Sequence, residues 1–273
     1  MTMSSRNKIL PFLCGFASLL FASCASSPVG GNALPLQFST LSVEEKSVLE
    51  CDPKKPELSI SVDLRYATDL ENPTVSLEIN HEILETALSS YEEKVSFSKN
   101  ADFEKTVRDY VAKEVKSYQE TWTEIFNDWG HSSGAENMIA IRGNTRGFVE
   151  NAIIYGLEID RDMGGAHPIH LKYFLNFDAT TGKRLSLADI FKPEYEKELT
   201  ELLTRKAMVL ENVTTKSRLS CEPRPTENFV IEGDGILFYF NPYDIAPYSR
   251  GPISLKLRYT ELARLLKKSA SAQ

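Results

Sequence analysis

The chain has 273 residues, 42% of them hydrophobic, with 31 Lys+Arg against 38 Asp+Glu and a formal net charge of −7. That length suits one large or two small domains around an ordinary apolar core. The acidic balance disfavours nucleic acid and anionic wall polymers and favours cationic partners.

Residues 1–24 read as an export signal. Arg6 and Lys8 precede an apolar run, Ile9 to Ala22, that is too short to anchor stably across a bilayer. The run ends in Leu-Leu-Phe-Ala-Ser-Cys, which looks like a bacterial lipobox with Cys24 as the lipidated residue. An ordinary signal peptide cut near the same place is the alternative. The lipobox reading sends the chain to the cell envelope, held at a membrane by lipid and facing the periplasm or the surface. Loss of residues 1–24 would leave 29 Lys+Arg against 38 Asp+Glu, a net charge of −9. Residues 25–50, with Ser-Ser-Pro-Val-Gly-Gly-Asn near their start, read as a tether. Cys51 and Cys221 remain as an even pair in an oxidising compartment and are expected to form a disulfide, with two separate buried thiols as the alternative.

Glu57 to Ala67 alternates, with Leu58, Ile60, Val62, Leu64 and Tyr66 on one face, and predicts a half-buried strand. Val75, Leu77 and Ile79 repeat the pattern and predict a second strand. Asn80 would then cap a helix carrying Ile83, Leu84, Ala87, Leu88 and Tyr91. From Phe103 to Trp129, apolar residues recur every three or four positions and Gly130 follows, which predicts a long amphipathic helix packed on a sheet. Strands are expected at Asn137–Gly143, across Phe148–Asp160 and at Ile169–Asp178. Short helices are expected at Ser186–Phe191 and Tyr195–Leu210. A hairpin turning at Asp234-Gly235 follows, then a strand from Pro252 and a closing helix from Thr260. The order predicts an α+β fold: antiparallel sheets with packed amphipathic helices, in two α/β subdomains, 51–162 and 163–268, forming one unit.

Tests for chemistry return little. A zinc protease helix needs two histidines one turn apart with a glutamate between them; in His81-Glu-Ile-Leu-Glu85 a glutamate stands where the second histidine should be. His167 and His170 flank Pro168. Proline holds its predecessor out of the helical region, and in a strand positions i and i+3 face opposite sides, so the pair is not expected to share a metal. No Gly-x-Ser-x-Gly elbow and no phosphate-cradling glycine loop occurs. The expectation is a protein without metal, cofactor or catalytic residues. A wall-modifying hydrolase built on His167 and distant carboxylates, and a structural envelope lipoprotein, are the alternatives.

Gly164–Phe191 combines a Gly-Ala-His-Pro turn, an Asn-Phe-Asp and Thr-Thr-Gly-Lys hairpin, and Leu-Ser-Leu-Ala-Asp-Ile-Phe. Gly235–Leu262 contains Asn-Pro-Tyr-Asp-Ile-Ala-Pro-Tyr-Ser-Arg-Gly. Together these stretches resemble the DUF3298 family of exported and membrane-anchored bacterial proteins. Glu57–Asp162 resembles the DUF4163 domain that often precedes it. The resemblance implies an RsiV-like, lysozyme-binding ectodomain: a binding module for lysozyme, another cationic wall hydrolase, or peptidoglycan fragments. No contact residues are carried over from the family.

The same residues have plain physical roles. Gly164 and Gly165 permit a sharp strand reversal and Pro168 fixes extended entry into the next strand. His167 is expected to brace that turn, and His170 to share one sheet face with Lys172 and Phe174. Tyr243 and Tyr248 stand either as packing anchors or as an exposed recognition surface. His167, Tyr243, Asp244 and Tyr248 are the candidate ligand-facing residues.

Overall fold

A computed structural model of the protein describes residues 36–89 and 94–267. The expected signal segment, Cys24, the tether as far as residue 35, and Tyr91 lie outside the described residues. The tether's second half is a strand, β1 (Phe38–Val48), which corrects the expectation. Leu41 and Val43 of β1 pair with Leu64 and Val62 of β2 (Glu57–Ala67) and face the same core. The strand was hidden because Ser, Glu and Lys fill most of its other positions, as suits a sheet edge.

The strand expected at Val75–Ile79 is instead the start of helix α1 (Pro73–Leu88). Pro73 occupies the first turn, where its fixed φ suits a helix. Val75, Ile79, Ile83, Leu84, Ala87 and Leu88 make one buried stripe. Leu77, which strand alternation would bury, is 37% exposed. Asn80 lies inside this helix and its amide bonds both the N–H and the C=O of Ala67 at 2.8 Å. Helix α2 (Phe103–Trp129) matches its prediction. Asp102 accepts from the Lys105 N–H at one end, and Gly130 adopts φ 69 at the other. Phe103, Val107, Val111 and Tyr118 are buried, whereas Trp129 is 72% exposed.

The two helices return the chain to β3 (Asn137–Val149), which runs parallel to β2. β4 (Ala152–Asp162) and β5 (Ile169–Asp178) complete a five-stranded sheet in the order β1-β2-β3-β4-β5. The strand expected across Phe148–Asp160 breaks at Glu150-Asn151, a two-residue hairpin with Glu150 at φ 52. Leu58, Ile60, Ile141, Tyr155, Leu157 and Leu175 pack under α1 and α2. The alternate positions form a largely polar face, open except where Ala152, Ile154 and Phe174 are covered by the second layer.

The second layer contains α3 (Leu187–Ile190), α4 (Tyr195–Leu210), β6 (Phe229–Glu232), β7 (Gly235–Phe240), β8 (Ile253–Arg258) and α5 (Tyr259–Leu262). The three strands form a sheet with its own core, which includes Leu203, Phe238 and Leu257. Its hairpin turns at Gly233-Asp234, one residue before the expected place. Gly235 belongs to β7, where a Cβ would stand 2.2 Å from the Leu257 carbonyl oxygen. The architecture is α+β as expected, mostly antiparallel with one parallel pair. The boundary drawn between 162 and 163 falls between two paired strands of the large sheet.

The two sheets share no backbone ladder. Three buried asparagines join them. Asn176 on β5 donates to the Phe229 carbonyl at 2.7 Å and accepts from the Ile231 N–H at 3.1 Å. Asn228 accepts from the Phe174 N–H and donates to the Lys172 carbonyl, both at 2.8 Å. Asn241 accepts from the Lys172 N–H at 2.7 Å and donates to the same carbonyl at 3.1 Å. A side-chain amide carries the donor and acceptor of a peptide unit, so each asparagine replaces a rung of the missing ladder. Ile154, Phe174 and Val230 fill the space beside them.

Cys51 and Cys221 are both free thiols, contrary to the expected disulfide. Cys51 is exposed beside Thr123 of α2, whereas Cys221 is buried in the core of the small sheet. The pair belongs to two different layers. Burial and then Glu211 push the Cys221 thiol up to about 11, so it stays protonated at neutral pH. Mass-spectrometric mapping after iodoacetamide treatment should find Cys51 modified in the native protein and Cys221 modified only after unfolding. Asn176→Ala should destabilise the fold by about 2–4 kcal/mol in urea denaturation, because two buried backbone groups lose their partners.

Candidate functional site

Two loops converge at one end of the layers. The first, residues 163–168, joins β4 to β5. Gly164 has φ 74 and lies against the Gly134 backbone, where a Cβ would stand 2.0 Å from the Gly134 carbonyl oxygen. The second joins β7 to β8. Its Asn241-Pro242-Tyr243-Asp244 start closes as a turn, with the Asp244 N–H donating to the Asn241 carbonyl at 3.1 Å. The Asp244 carboxylate accepts from the Asn241 N–H at 2.8 Å. Burial raises the pKa of this carboxyl above its ordinary value. Asp244 therefore braces the loop from within, while its neighbour points elsewhere.

That neighbour, Tyr243, has φ 74 and is 54% exposed. Proline second and positive φ third is the pattern of a type II turn, whose third position favours glycine. A tyrosine there costs about 1–3 kcal/mol of backbone strain. Its hydroxyl lies 3.1 Å from His167 Nε2. His167 Nδ1 lies 3.1 Å from the Pro168 carbonyl oxygen. A carbonyl only accepts, so Nδ1 carries the proton, and in neutral histidine Nε2 then accepts from Tyr243. The His167 ring stacks on Tyr248 at 3.7 Å between centroids, and the Tyr248 hydroxyl donates to Pro168 O at 2.8 Å. The structure thus brings His167, Tyr243 and Tyr248 together. Tyr248 is the packing anchor and Tyr243 the exposed ring.

Sequence reading missed the apolar floor of this cluster. Ile169, Leu171 and Pro242 line a cleft of about 90 Å3 with the three rings, and Ile169 is 37% exposed. Ile169 is the first residue of β5, paired with Arg161 at the end of the ladder, and the sheet leaves it partly uncovered. A broader cleft adjoins, shared through His170, Leu171, Pro242 and Tyr248.

His170 faces the open side of the sheet as expected, 2.7 Å from Asp160. Arg142 also bonds Asp160, and Lys172 bonds Glu158 at 2.7 Å. The nearby carboxylates pair with His170, Arg142 and Lys172, while His167 meets two tyrosines and a carbonyl. No carboxylate is among the residues that line the cleft at His167. No group of three or more His, Cys, Asp or Glu placed to hold a metal occurs among the described residues.

Residues 188–260 match the family model described as a protein of unknown function, DUF3298. The chain carries a DUF3298 domain. A crystal structure of a DUF3298 family member from Bacteroides fragilis NCTC 9343 superposes with a TM-score of 0.75 at 26% identity, covering 86% of this chain and 94% of that one. A DUF3298 family protein from Pseudomonas aeruginosa PAO1 shares the fold, with a TM-score of 0.57, 18% identity, and coverage of 86% and 96%. The peptidoglycan-N-acetylmuramic acid deacetylase PdaC of Bacillus subtilis strain 168 is 23% identical over 176 residues. That match takes in 62% of this chain and 37% of PdaC. The DUF3298 match contains the whole of the Tyr243–Tyr248 loop, while the His167 turn lies upstream of it.

The ionic row beside the cluster sets an acid dependence. The Lys172 hydrogen bond holds Glu158 below the usual carboxylate range. Burial pushes Asp160 upward, but the bonds from His170 and Arg142 outweigh it and the net shift is down. Carboxylates held low in the folded state stabilise it above their unfolded pKa, about 4, and lose that contribution as pH falls through the folded value. Urea midpoints measured from pH 6 to 2 should therefore fall below about pH 4. Asp160→Asn should flatten part of that slope.

Proposed function

We propose that this protein is a lipid-anchored, non-enzymatic binding protein of the cell envelope. Its ligand is a cationic wall hydrolase such as lysozyme, and the His167–Tyr243–Tyr248 cluster faces it. The observation that carries this reading is Tyr243: a half-exposed aromatic side chain held at a backbone position that favours glycine. Strain kept at an exposed ring points to a use for that ring. Exposed tyrosines supply large, rigid contact area and are common anchors at protein interfaces. The acidic chain complements a cationic partner and would speed the encounter at low salt.

The DUF3298 domain and the match to PdaC support placement at the envelope. A DUF4163-like character for Glu57–Asp162 fits the same reading. A peptidoglycan fragment is the second candidate ligand, favoured by the substrate in PdaC's name and by the apolar cleft under the rings. Tyr243→Gly separates recognition from folding. Glycine relieves the positive φ, so the melting temperature should hold or rise. Surface plasmon resonance at low salt should show saturable lysozyme binding that this change weakens by about tenfold or more, the size expected for an interface anchor. Lack of lysozyme binding at low salt would overturn the hydrolase version, and the same assay with a soluble muropeptide tests the second ligand.

A further inference from the structure

The open face of the large sheet carries a separate groove of about 530 Å3, lined by residues of β1, β2, β3 and β4. Three arginines from two strands reach it: Arg65 of β2, and Arg142 and Arg146 of β3. In a chain of net charge −7, that concentration of positive charge is out of keeping with its surroundings.

Each arginine is held differently. Arg142 is neutralised by Asp160. Arg146 is the extra residue at a β-bulge between Thr145 and Gly147, a device that re-aims a side chain. It lies across Gly156, where a Cβ would stand 2.4 Å from its Nε, and over the Phe174 ring at 5.5 Å. Its ion pair with Glu158 is long, at 3.6 Å. Arg65 has no carboxylate partner among the described residues. It donates once, to the Thr145 hydroxyl at 2.9 Å, and lies 5.6 Å from the centroid of the Phe38 ring. A guanidinium has five N–H donors in a planar fork that matches a carboxylate. Arg65 is therefore positioned by a hydroxyl and a ring, with most of its donors unclaimed by protein.

We propose that this groove binds a ligand bearing a single free carboxylate, received by Arg65 with Arg146 beside it. The lining sets the charge of the ligand. Arg142 is spent on Asp160 and Glu158 is paired by Lys172, so Arg65 and Arg146 stand against Asp63, which leaves one net positive charge. That balance suits a monoanion, and a phosphate dianion would meet two carboxylates. The groove's lining residues do not include His167, Tyr243 or Tyr248, so the inference stands independently of the aromatic cluster.

The test is an NMR titration of the 15N-labelled full chain, following the arginine Nε–H signals. Arg65→Gln and Arg146→Gln assign the two peaks. The probes are N-acetyl-dialanine, its C-terminal amide, glucuronate, glucose and inorganic phosphate. The carboxylate probes should shift the Arg65 signal saturably, and the stronger of the two identifies a peptide or a sugar as the source. Arg65→Gln, followed through the Arg146 signal, should weaken binding by about tenfold or more, as expected for loss of a charged hydrogen-bonding partner. Tyr243→Gly should leave it unchanged. Equal shifts with the amide or glucose, tighter binding of phosphate, or full affinity in a folded Arg65→Gln protein would each overturn the proposal. Should circular dichroism show that Arg65→Gln unfolds the chain, Thr145→Val, which frees the guanidinium, takes its place and is expected to weaken binding.

Discussion

The amide bonds of Asn176, Asn228 and Asn241 hold the arrangement together. β5 is the last strand of the large sheet, and its outer edge would otherwise present unpaired N–H and C=O groups. A continuous backbone ladder would have merged the two sheets into one. Side-chain amides satisfy the same groups from a different angle and let the small sheet dock over Ile154 and Phe174. The aromatic cluster depends on this joint. Its two loops hang from different sheets, and Asn241, the first residue of one loop, bonds Lys172 on β5, the strand that follows the other. Burial makes the joint unforgiving, since an unpaired amide at Asn176, 1% exposed, has no access to water.

The same joint divides the surface chemistry. One face of the large sheet is committed to the core under α1 and α2. The other is covered by the small sheet only near β4 and β5 and stays open elsewhere. The uncovered part holds the ion pairs of Arg142, Asp160, Glu158 and Lys172, along with the less neutralised Arg65 and Arg146. At the boundary, apolar rings and the ionic row meet at His170, Leu171 and Tyr248. An acidic chain thus presents an aromatic contact surface and a locally basic groove on one molecule, which net charge alone conceals.

Much of the fold was legible residue by residue. β2, α2, α4 and β8 follow their apolar spacing closely. The errors have physical causes. Val75, Leu77 and Ile79 satisfy both a strand and a helix over five residues, and only the later Ile83, Leu84 and Ala87 stripe decides between them. β1 is too polar to announce itself, because its inward residues need β2 beside them to count as a strand. The cysteine pair looked like a bridge because number and compartment carry no distance. The candidate site was legible as a turn and a stiff loop, and His167 was expected as a brace. That Asp244 turns inward while Tyr243 turns out required the loop's own hydrogen bonds.

Periodicity and turn residues sufficed for the α+β class and the extent of α2 and α4, and motif resemblance for the DUF3298 character of the C-terminal part. These are local properties, set by which face of an element is apolar and where the backbone must bend. Tertiary structure alone decided that three asparagines replace a ladder, that Tyr243 rather than Asp244 faces outward, and that Arg65 has no carboxylate partner among the described residues. The asparagine joint and the setting of Arg65 depend on groups 53 to 80 residues apart in the chain, as Asn176 and Phe229 or Arg65 and Thr145 are. No spacing rule within one element reaches that far, because the partner is chosen by packing after the elements have formed.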